Sequence, residues 1–455
     1  MFVLGGFALS SELAMAADLS VEAVYSQGGM YLSLEGLGKA INGKVSFGDP
    51  NAPLGLQALC LQAGDREWRF PNGGDRIEAI PSKIETLLKR PVLVLAGKHY
   101  VPFEEGAAVF GYKVVGGDNP ALTHDGKPFA LTVRKIDSPH QSHVVENLRP
   151  VHETVVATEE LRLIRSLYKK EDIVRLPKGT VLLVRRAVAV DGVPSLVVTD
   201  CGASLCSYLI AETDLRKWTS PGKLDGTHWQ DVNTWFLEQS LETDALRHGP
   251  RKKLEKAVCV TVDLCWSLRK MESGLLSALR EAGKPGHRAH PVFFVSGRWL
   301  EQHPQDMHDL IEIDGDEGAE ITWGLHSYVH PKSGGFMNDI EPAKIQEDTL
   351  KLERQFLNWG IVPSVYYRFP GLIHDTVRLR EILGLDLFPI DCESWMVLVE
   401  QKRSGPFGKP VQAGSIILVH GNGNEPDGIP LLERWLKANR DWELAPVSRF
   451  MLPEE

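Results

Sequence analysis

The sequence lacks an excess of basic residues. Its 455 residues include 50 Lys and Arg against 60 Asp and Glu, which gives a formal net charge of −10. Binding to a nucleic-acid backbone or to an anionic membrane surface depends on clustered basic side chains. The one basic cluster, at 251–253, is short and is typical of a solvated linker. The composition therefore argues against nucleic acid as a partner.

Long hydrophobic runs are also missing. No segment approaches the roughly 18 consecutive apolar residues of a membrane-spanning helix. Residues 2–17 are mostly apolar or small, and Ala14 and Ala16 resemble a signal-peptidase site, although a charged start is absent and Glu12 interrupts the stretch. We predict a truncated export signal at 1–17 and a protein located in the periplasm or cell wall. The alternative is a buried strand or short helix.

Cysteine is scarce, with six residues and no C-x-x-C pair. The absence of that pair argues against a thiolate zinc cluster. Cys201 and Cys206 are close enough in sequence to pair across a turn in an oxidising compartment. Cys259, Cys265 and Cys392 lie in or beside strand-like segments, where a cysteine is expected to act as a small buried apolar residue.

An internal repeat marks the N-terminal part of the chain. Residues 31–45 align without gaps with residues 100–114, and each copy is typical of a strand, a helix and a second strand. Two copies of one such unit predict a small α+β domain, which we place at 18–150. The pattern resembles the copper amine oxidase N-terminal-like domain of exported bacterial wall proteins from about Leu19 to Val133. No histidine cluster here indicates copper.

The middle of the chain has the pattern of a small all-β domain. Strand-like runs at 180–184, 187–190 and 195–199, with an Asp191-Gly192 turn between them, predict this domain at 151–218. It resembles a small barrel of the bacterial Src-homology type. Proline and glycine breaks at 220–222 and 248–250 predict a linker over 219–256.

From residue 257 to 455 the chain alternates strand-like and helix-like segments, which predicts an α/β domain. Five of the strand-like segments lead into a polar residue able to carry chemistry: Asp263, His326, Arg368, Asp391 and His420. Parallel strands of a βα barrel bring such residues to one rim. The pattern therefore predicts a single site at that rim.

His326 and His330 are the candidate metal ligands. Histidines four residues apart lie on the same side of a helical turn, so both imidazoles can reach one ion. Such pairs are more often structural, but the preceding strand and Pro331 after the pair favour a loop at a strand end. Imidazole and oxygen ligands suit zinc, and another first-row divalent ion is the alternative.

These segments resemble the NodB-homology domain of the polysaccharide deacetylases, carbohydrate esterase family four. Residues 326–330 fit the family's H-[ST]-x-x-H motif, Arg368-Phe369-Pro370 fits R-x-P, and Leu418-Val419-His420 fits L-x-H, in the family's order. The resemblance implies an irregular (β/α) barrel. It also implies metal-dependent removal of N-acetyl groups from an amino-sugar polymer such as peptidoglycan, poly-N-acetylglucosamine or a chitin-like oligomer.

The resemblance assigns the catalytic roles. Asp263 would be the general base, Arg368 would hold it ionised through a bidentate pair, and His420 would be the general acid that protonates the leaving amine. Structural alternatives stay open: a helix N-cap for Asp263, a surface ion pair for Arg368 and a loop histidine for His420. A backbone N–H near the 326–330 loop is expected to stabilise the oxyanion.

Substrate contacts are also implied. They are expected at five residues: Tyr328, Trp395, Pro370, Gly371 and Asp391. Tyr328 and Trp395 would stack against sugar rings, and a buried core position is the alternative for each.

Two positions depart from the family's pattern. The usual metal-binding acid is replaced by Leu264, so Asp263 binds the ion itself, or Cys265 substitutes from the same side of the strand with a preference for softer ions, or the histidines hold it with water. Ser394 replaces the second acid of D-x-x-D-W and cannot raise the pKa of His420 by charge.

These departures favour a rival interpretation, a catalytically silent carbohydrate-binding relic of the fold. Leu264 supports it. Against it stands the retention of His326, His330, Arg368 and His420, which a relic has little physical reason to keep. A third interpretation, a scaffold that binds another wall protein, depends only on the N-terminal modules.

Overall fold

The computed structural model describes residues 20–26, 29–47, 58–71, 74–80, 82, 84–115, 121–124, 127–135, 143–169, 172–239, 245–282, 288–314, 319–331, 340–397, 408–423, 425 and 427–451. The predicted export signal at 1–17 lies outside these residues. The chain divides into two compact units, Met1–Ser138 and Pro139–Glu455. No helix in the described ranges is long and apolar enough to cross a membrane.

The first unit consists of two sheets and two short helices. Its strands are β1 (Ser20–Ser26), β2 (Gly29–Ser33), β3 (Lys44–Phe47), β4 (Ala58–Ala63), β5 (Arg66–Pro71), β6 (Arg76–Ile80), β7 (Ile84–Leu87), β8 (Leu93–Leu95), β9 (Lys98–Pro102), β10 (Lys113–Val115), β11 (Ala121–His124) and β12 (Lys127–Lys135), and its helices are α1 (Leu34–Ala40) and α2 (Phe103–Val109). The sheet orders are β10-β11-β12-β1-β2-β9-β8 and β3-β4-β5-β6-β7.

The internal repeat is visible in this unit as β2–α1–β3 and β9–α2–β10. The first strands of the two copies pair antiparallel, with Leu32 opposite Val101 and Tyr31 opposite Pro102. Tyr31 and Tyr100, which are equivalent in the repeat, are both at most 1% exposed. The two copies thus bury their apolar faces against each other, as a repeat of one supersecondary unit requires.

The second unit begins with a seven-stranded antiparallel sheet. Its elements are β13 (Val145–Ala157), β14 (Leu161–Ile164), β15 (Ile173–Leu176), β16 (Val181–Val190), β17 (Val193–Asp200), β18 (Ser207–Ala211), α3 (Glu212–Trp218) and β19 (Thr219–Pro221). The strand order is β15-β14-β18-β17-β16-β13-β19. Cys201 and Cys206, in the connection between β17 and β18, are both free thiols, so the disulfide considered from their spacing is not formed.

A parallel sheet forms the rest of the second unit. Its elements are α4 (His228–Gln239), β20 (Ala257–Leu264), α5 (Ser273–Ala282), β21 (Val292–Val295), α6 (Gly297–Gln302), α7 (Pro304–Ile313), β22 (Thr322–Leu325), α8 (Pro342–Asn358), β23 (Tyr366–Tyr367), α9 (Thr376–Gly384), β24 (Phe388–Pro389), β25 (Ser394–Trp395), β26 (Ile416–His420), α10 (Gly428–Ala438) and β27 (Glu443–Leu444), with short 3-10 turns at Arg251–Lys253, Pro370–Leu372 and Val447–Phe450. The order is β24-β23-β22-β21-β20-β26-β25, and β27 also pairs with β20.

The prediction of a linker over 219–256 has to be corrected, because the described residues of this segment include a strand and a helix that pack into the fold. Helix α4 buries Trp229 and Phe236, which are at most 1% exposed. Both rings contact Phe388 of the parallel sheet, with ring centroids 4.6 and 5.3 Å away. The spacing of these aromatic residues along the helix places them on one face. Helix α4 therefore belongs to the core of the α/β domain, and β19 at the start of the segment belongs to the antiparallel sheet.

The antiparallel sheet is fixed to the α/β domain through two buried arginines of β16. Arg186 binds both carboxylate oxygens of Glu353 on α8 at 2.6 and 3.0 Å, and Arg185 donates to the carbonyl of Pro363 at 2.9 Å. The three charged side chains are fully buried. Burial in low dielectric lowers the pKa of Arg185 to about 10, and the charge of Arg186 adds to this effect. These contacts make the two sheets one packed unit.

Candidate metal and catalytic site

The side chains of β20 alternate between the two faces of the parallel sheet. Thr261 and Asp263 both accept hydrogen bonds from Arg368, each at 2.7 Å, so they share the inner face. Val262 and Leu264 point the other way, and both lie about 3 Å from where a Cβ on Gly421 would stand. By the same alternation Cys265 returns to the inner face. Leu264, at 0% exposure, is a core residue and is directed away from the site.

Cys265, His326 and His330 form a compact cluster of metal-ligating groups. One ligand atom from each lies within 4.8 Å of the others, and all three residues are buried. The thiol of Cys265 is 3.4 Å from Nε2 of His326. Burial by itself raises the pKa of this thiol, but the neighbouring charges of His330, His326 and His420 outweigh it and hold the pKa well below its usual range.

The ring of His326 is oriented by the strand beside it. Its Nδ1 is 2.9 Å from the carbonyl oxygen of Arg368. A carbonyl can only accept, so Nδ1 carries the proton and Nε2 offers a lone pair. This is the arrangement in which a backbone carbonyl fixes the tautomer of a metal-binding imidazole.

The loop that carries His330 is held by an acid that the sequence analysis did not identify. Asp348 of α8 accepts from the backbone N–H groups of Tyr328 and Val329 at 2.8 and 2.9 Å, and Ser327 Oγ accepts from that of His330 at 3.2 Å. Ser327 and His330 both have positive φ, 61° and 41°, a conformation that a side chain disfavours. These three N–H groups are engaged, so they do not supply the expected oxyanion donor.

The donor set fits a divalent cation with one adjustment. Nε2 of His330 is a buried ring nitrogen without a hydrogen-bond partner, which marks a place where a ligand would complete the site. The indole of Trp266 donates to Nδ1 of the same ring at 3.0 Å. An indole N–H only donates, so here the proton of neutral His330 lies on Nε2. For Nε2 to bind an ion, this proton has to move to Nδ1, and the hydrogen bond from Trp266 is then lost.

The buried pair of Asp263 and Arg368 stands beside this cluster. Oδ1 of Asp263 contacts Arg368 at 2.7 Å, and Oδ2 is 3.7 Å from Nε2 of His326. Only one carboxylate oxygen meets the guanidinium, so the predicted bidentate geometry is wrong. Arg368 uses its other N–H groups on Thr261 and on the carbonyls of Ile390 and Asp391, which fixes it completely.

His420 faces Asp263 from the neighbouring strand and is oriented by a carboxylate. The two residues are register partners of β20 and β26. Nδ1 of His420 is 2.9 Å from Oε2 of Glu425, and the indole N–H of Trp395 donates to the same oxygen at 2.8 Å. Burial lowers the pKa of His420, but the charges of Glu425 and Cys265 outweigh this and raise it well above its usual value.

Glu425 was not identified from the sequence. It lies in the loop five residues after His420, and no motif spacing indicated it. Ser394, where the family's pattern has the second acid, is 2% exposed, and its hydroxyl has no hydrogen-bond partner in the described structure. The carboxylate beside His420 thus comes from a different segment.

The predicted substrate-binding residues fall into two groups, one buried and one half-buried. Tyr328 is 3% exposed and its hydroxyl binds Glu301, so the alternative of a core aromatic applies. Asp391 is 0% exposed, and its Oδ2 lies 3.9 Å from Nε of Arg247. The expectation that its carboxylate contacts the sugar directly is therefore wrong. Pro370 is also buried. Gly371 and Trp395 are half-buried, and Gly371 has a φ of 66° that favours glycine.

No family model matches the chain. Solved structures are similar over about half of its length. PdaA from Bacillus subtilis, a family 4 carbohydrate esterase, is 20% identical with a TM-score of 0.36, covering 51% of this chain and 91% of its own. The chitin deacetylase of Colletotrichum lindemuthianum is 19% identical with a TM-score of 0.32 (46% and 90% covered). BA3943 from Bacillus anthracis, a CE4 family pseudoenzyme, is 14% identical with a TM-score of 0.34 (47% and 73% covered).

The structural neighbours are family 4 carbohydrate esterases. The parallel sheet of this chain is curled. The contacts of Arg368 show this curl, because its side chain reaches from the end of β23 to Thr261 and Asp263 on β20, past the two strands between them.

An acid near His420 gives the first testable prediction. Burial raises the pKa of Glu272 to about 7, although the backbone of Gly423 opposes the shift. The folded protein therefore binds an additional proton between pH 4.5 and 7, and its stability falls as the pH rises through this window. We expect Glu272→Gln to raise the Tm at pH 8 and to leave it unchanged below pH 4.5. Glu281→Gln, exposed on α5, is the control. A Tm difference independent of pH would contradict the prediction.

Proposed function

We propose that this protein is a metal-dependent hydrolase that removes N-acetyl groups from an amino-sugar polymer. One observation carries the proposal. The buried pair of Asp263 and Arg368 lies between two histidine systems, the cluster of His326 with its neighbours on one side and His420 on the other. A general base, a general acid and a cation site thus meet at the carboxyl ends of adjacent parallel strands.

Asp263 is the general base. Arg368 neutralises Oδ1, and Oδ2 faces the metal cluster, where a water molecule bound for attack would be placed. Asp263 removes a proton from that water, whose oxygen forms a bond to the acetamide carbonyl carbon. The fixed position of Arg368 holds Oδ1 of the carboxylate and prevents the side chain from rotating away.

His420 is the general acid. It donates a proton to the amide nitrogen as the carbon–nitrogen bond breaks, which releases acetate and the free sugar amine. Glu425 accepts the other ring proton, so the ring presents Nε2 for this transfer. The raised pKa keeps His420 protonated before the reaction.

The divalent ion would be held by His326, His330 and a third group argued below. When bound, it polarises the acetamide carbonyl and acidifies the attacking water. Zinc is the proposed ion, because imidazole and thiolate donors suit it.

The proposal extends to substrate and location. Trp395 and Gly371, which are accessible beside His420 and Arg368, would contact the sugar. The polymer would be peptidoglycan or a poly-N-acetylglucosamine-like glycan outside the cytoplasm, with the N-terminal α+β unit acting as a stalk or wall-associating domain. These points follow from the sequence pattern.

Acetate release from N-acetylglucosamine oligomers and from peptidoglycan tests the function. We would purify the full chain without chelator and measure metal content in parallel. Acetate release that disappears together with the metal in His326→Ala supports the proposal. A folded, metal-loaded protein that releases no acetate from either substrate refutes it.

A second candidate function is a catalytically silent carbohydrate-binding protein. Leu264 favours it, since the usual acid position points into the core. Binding of the same oligomers without acetate release, in protein supplied with zinc, cobalt or nickel, would support this alternative.

The second testable prediction concerns Glu425. We expect Glu425→Gln to lower kcat on the order of 10-fold or more with little change in KM. His420 would lose the carboxylate charge that orients its ring and raises its pKa. Glu425→Asp is expected to retain part of the activity. Ser394→Asp added to Glu425→Gln should restore part of it, since this position lies on β25 beside β26. An unchanged kcat in Glu425→Gln would contradict the role.

A further inference from the structure

We propose that Cys265 is the third protein ligand of the divalent ion. It would occupy the role that the family's pattern gives to position 264, where this chain has leucine. The inference rests on the metal dependence proposed above, but its test is independent of acetate release.

The distances fit a shared coordination sphere. In a tetrahedral zinc site with a Zn–S bond of about 2.3 Å and a Zn–N bond of about 2.1 Å, the sulfur and nitrogen lie about 3.6 Å apart. Sγ of Cys265 is 3.4 Å from Nε2 of His326, and the ligand atoms of the three residues are all within 4.8 Å of one another. A single ion can therefore contact all three with small side-chain movements.

The geometry of β20 determines which residue can be the third metal ligand. The side chain of Leu264 points into the core, so position 264 in this strand is turned away from the two histidines. The next inward residue is Cys265. Its backbone is held by Asn422, whose side-chain amide donates to the Cys265 carbonyl at 2.7 Å, and this contact fixes the residue at the end of the strand.

The surroundings of Cys265 differ from those of an ordinary buried cysteine. Cys259 lies on the same strand, also fully buried, but it is not part of a metal-ligating cluster of described residues. Cys265 is next to two imidazoles, and Nε2 of His330 is buried with no hydrogen-bond partner. An unpartnered ring nitrogen beside a thiol is better explained by a shared ligand than by packing alone.

A thiolate changes the metal preference of the site. Thiolate and imidazole donors select zinc or cobalt over magnesium, calcium or manganese, which prefer oxygen. We therefore expect the chain to retain zinc at low concentration and to bind magnesium weakly.

Cobalt substitution is the direct test. A cobalt ion bound by a thiolate shows a sulfur-to-metal charge-transfer band in the near ultraviolet, which a site of histidine, carboxylate and water lacks. We expect one cobalt ion per full-length chain and this band in the unmodified protein. Cys265→Ser should remove the band and weaken zinc binding by more than about 100-fold, exceeding the usual effect of changing a residue that only supports a ligand.

Two further variants make the result specific. Cys265→Asp should keep the ion and lose the band, because a carboxylate replaces the thiolate. Cys259→Ser, the same change on the same strand, should retain both ion and band. Circular dichroism checks the fold of each variant.

The outcomes separate this inference from the proposed function. Bound cobalt without the band in the unmodified protein, or unchanged zinc affinity in Cys265→Ser, overturns the role of Cys265. If the band is present but no acetate is released, Cys265 is a metal ligand and the proposed hydrolase activity is refuted. If acetate is released but the band is absent, the hydrolase activity stands and the role of Cys265 as a ligand is refuted.

Discussion

Replacing Asp263 with asparagine is expected to lower the rate of acetate release by on the order of 10²–10⁴-fold, the usual contribution of a general base. The amide still accepts from Arg368, whose position is fixed by three other groups. The fold and the metal content should therefore stay as they are, since Asp263 is not in the metal cluster. Initial rates of acetate release and elemental analysis of the same sample check both points.

Asp386→Asn is the matched control. Asp386 is also poorly exposed, but it lies just before β24, an edge strand of the parallel sheet, where it pairs with His152. Its φ of 59° is a conformation that asparagine tolerates. Activity within a factor of about two is expected, because the substitution is far from the reacting groups. An Asp263→Asn protein that keeps its full rate would show that another group is the base. Loss of metal in that variant would place Asp263 among the ligands.

Replacing Glu353 with glutamine is expected to destabilise the second unit by about 3–5 kcal/mol, the usual effect of removing one partner of a buried ion pair. Arg186 would keep its charge inside the protein without a carboxylate, and Arg185 would lose the acid that is 3.8 Å away. Urea denaturation followed by tryptophan fluorescence measures the change. Ten of the 11 tryptophans belong to the second unit, so the signal reports on it.

Glu347→Gln serves as the comparison for that experiment. Glu347 is on the same helix, α8, but is exposed, and its substitution should change stability by less than about 0.5 kcal/mol. We also expect the antiparallel sheet and the parallel sheet to unfold in one transition, since the arginine–glutamate contacts join them. Two separate transitions, or a change below 1 kcal/mol in Glu353→Gln, would contradict the coupling.

The strand ends of the parallel sheet were predictable from the sequence, and so was much of the site. Buried parallel strands have continuous apolar runs, so the residue that follows each run is easy to locate. Asp263, His326, Arg368 and His420 were found in this way, and the structure brings them together. The inner-face position of Cys265 also follows from simple alternation.

The groups that support the site were not predictable in the same way. Asp348 reaches the histidine loop from a helix 20 residues further along, and Glu425 comes from a loop without a periodic pattern. Their roles depend on tertiary packing, which periodicity does not encode. Helix α4 is a different case. Trp229, Val232 and Phe236 recur at helical spacing, a signal present in the sequence but outweighed by the neighbouring proline and glycine breaks.

The alternation along β20 has a consequence for how such a site changes over evolutionary time. Each step of one residue along the strand turns a side chain from the cavity to the packed interior, so residues 261, 263 and 265 share the inner face and residue 264 does not. With the strand in this arrangement, an acid at 264 would put a charge into the core. A change from an acid to leucine at 264 therefore leaves residue 265, one step along the strand, to supply a third ligand, as the proposed role of Cys265 requires.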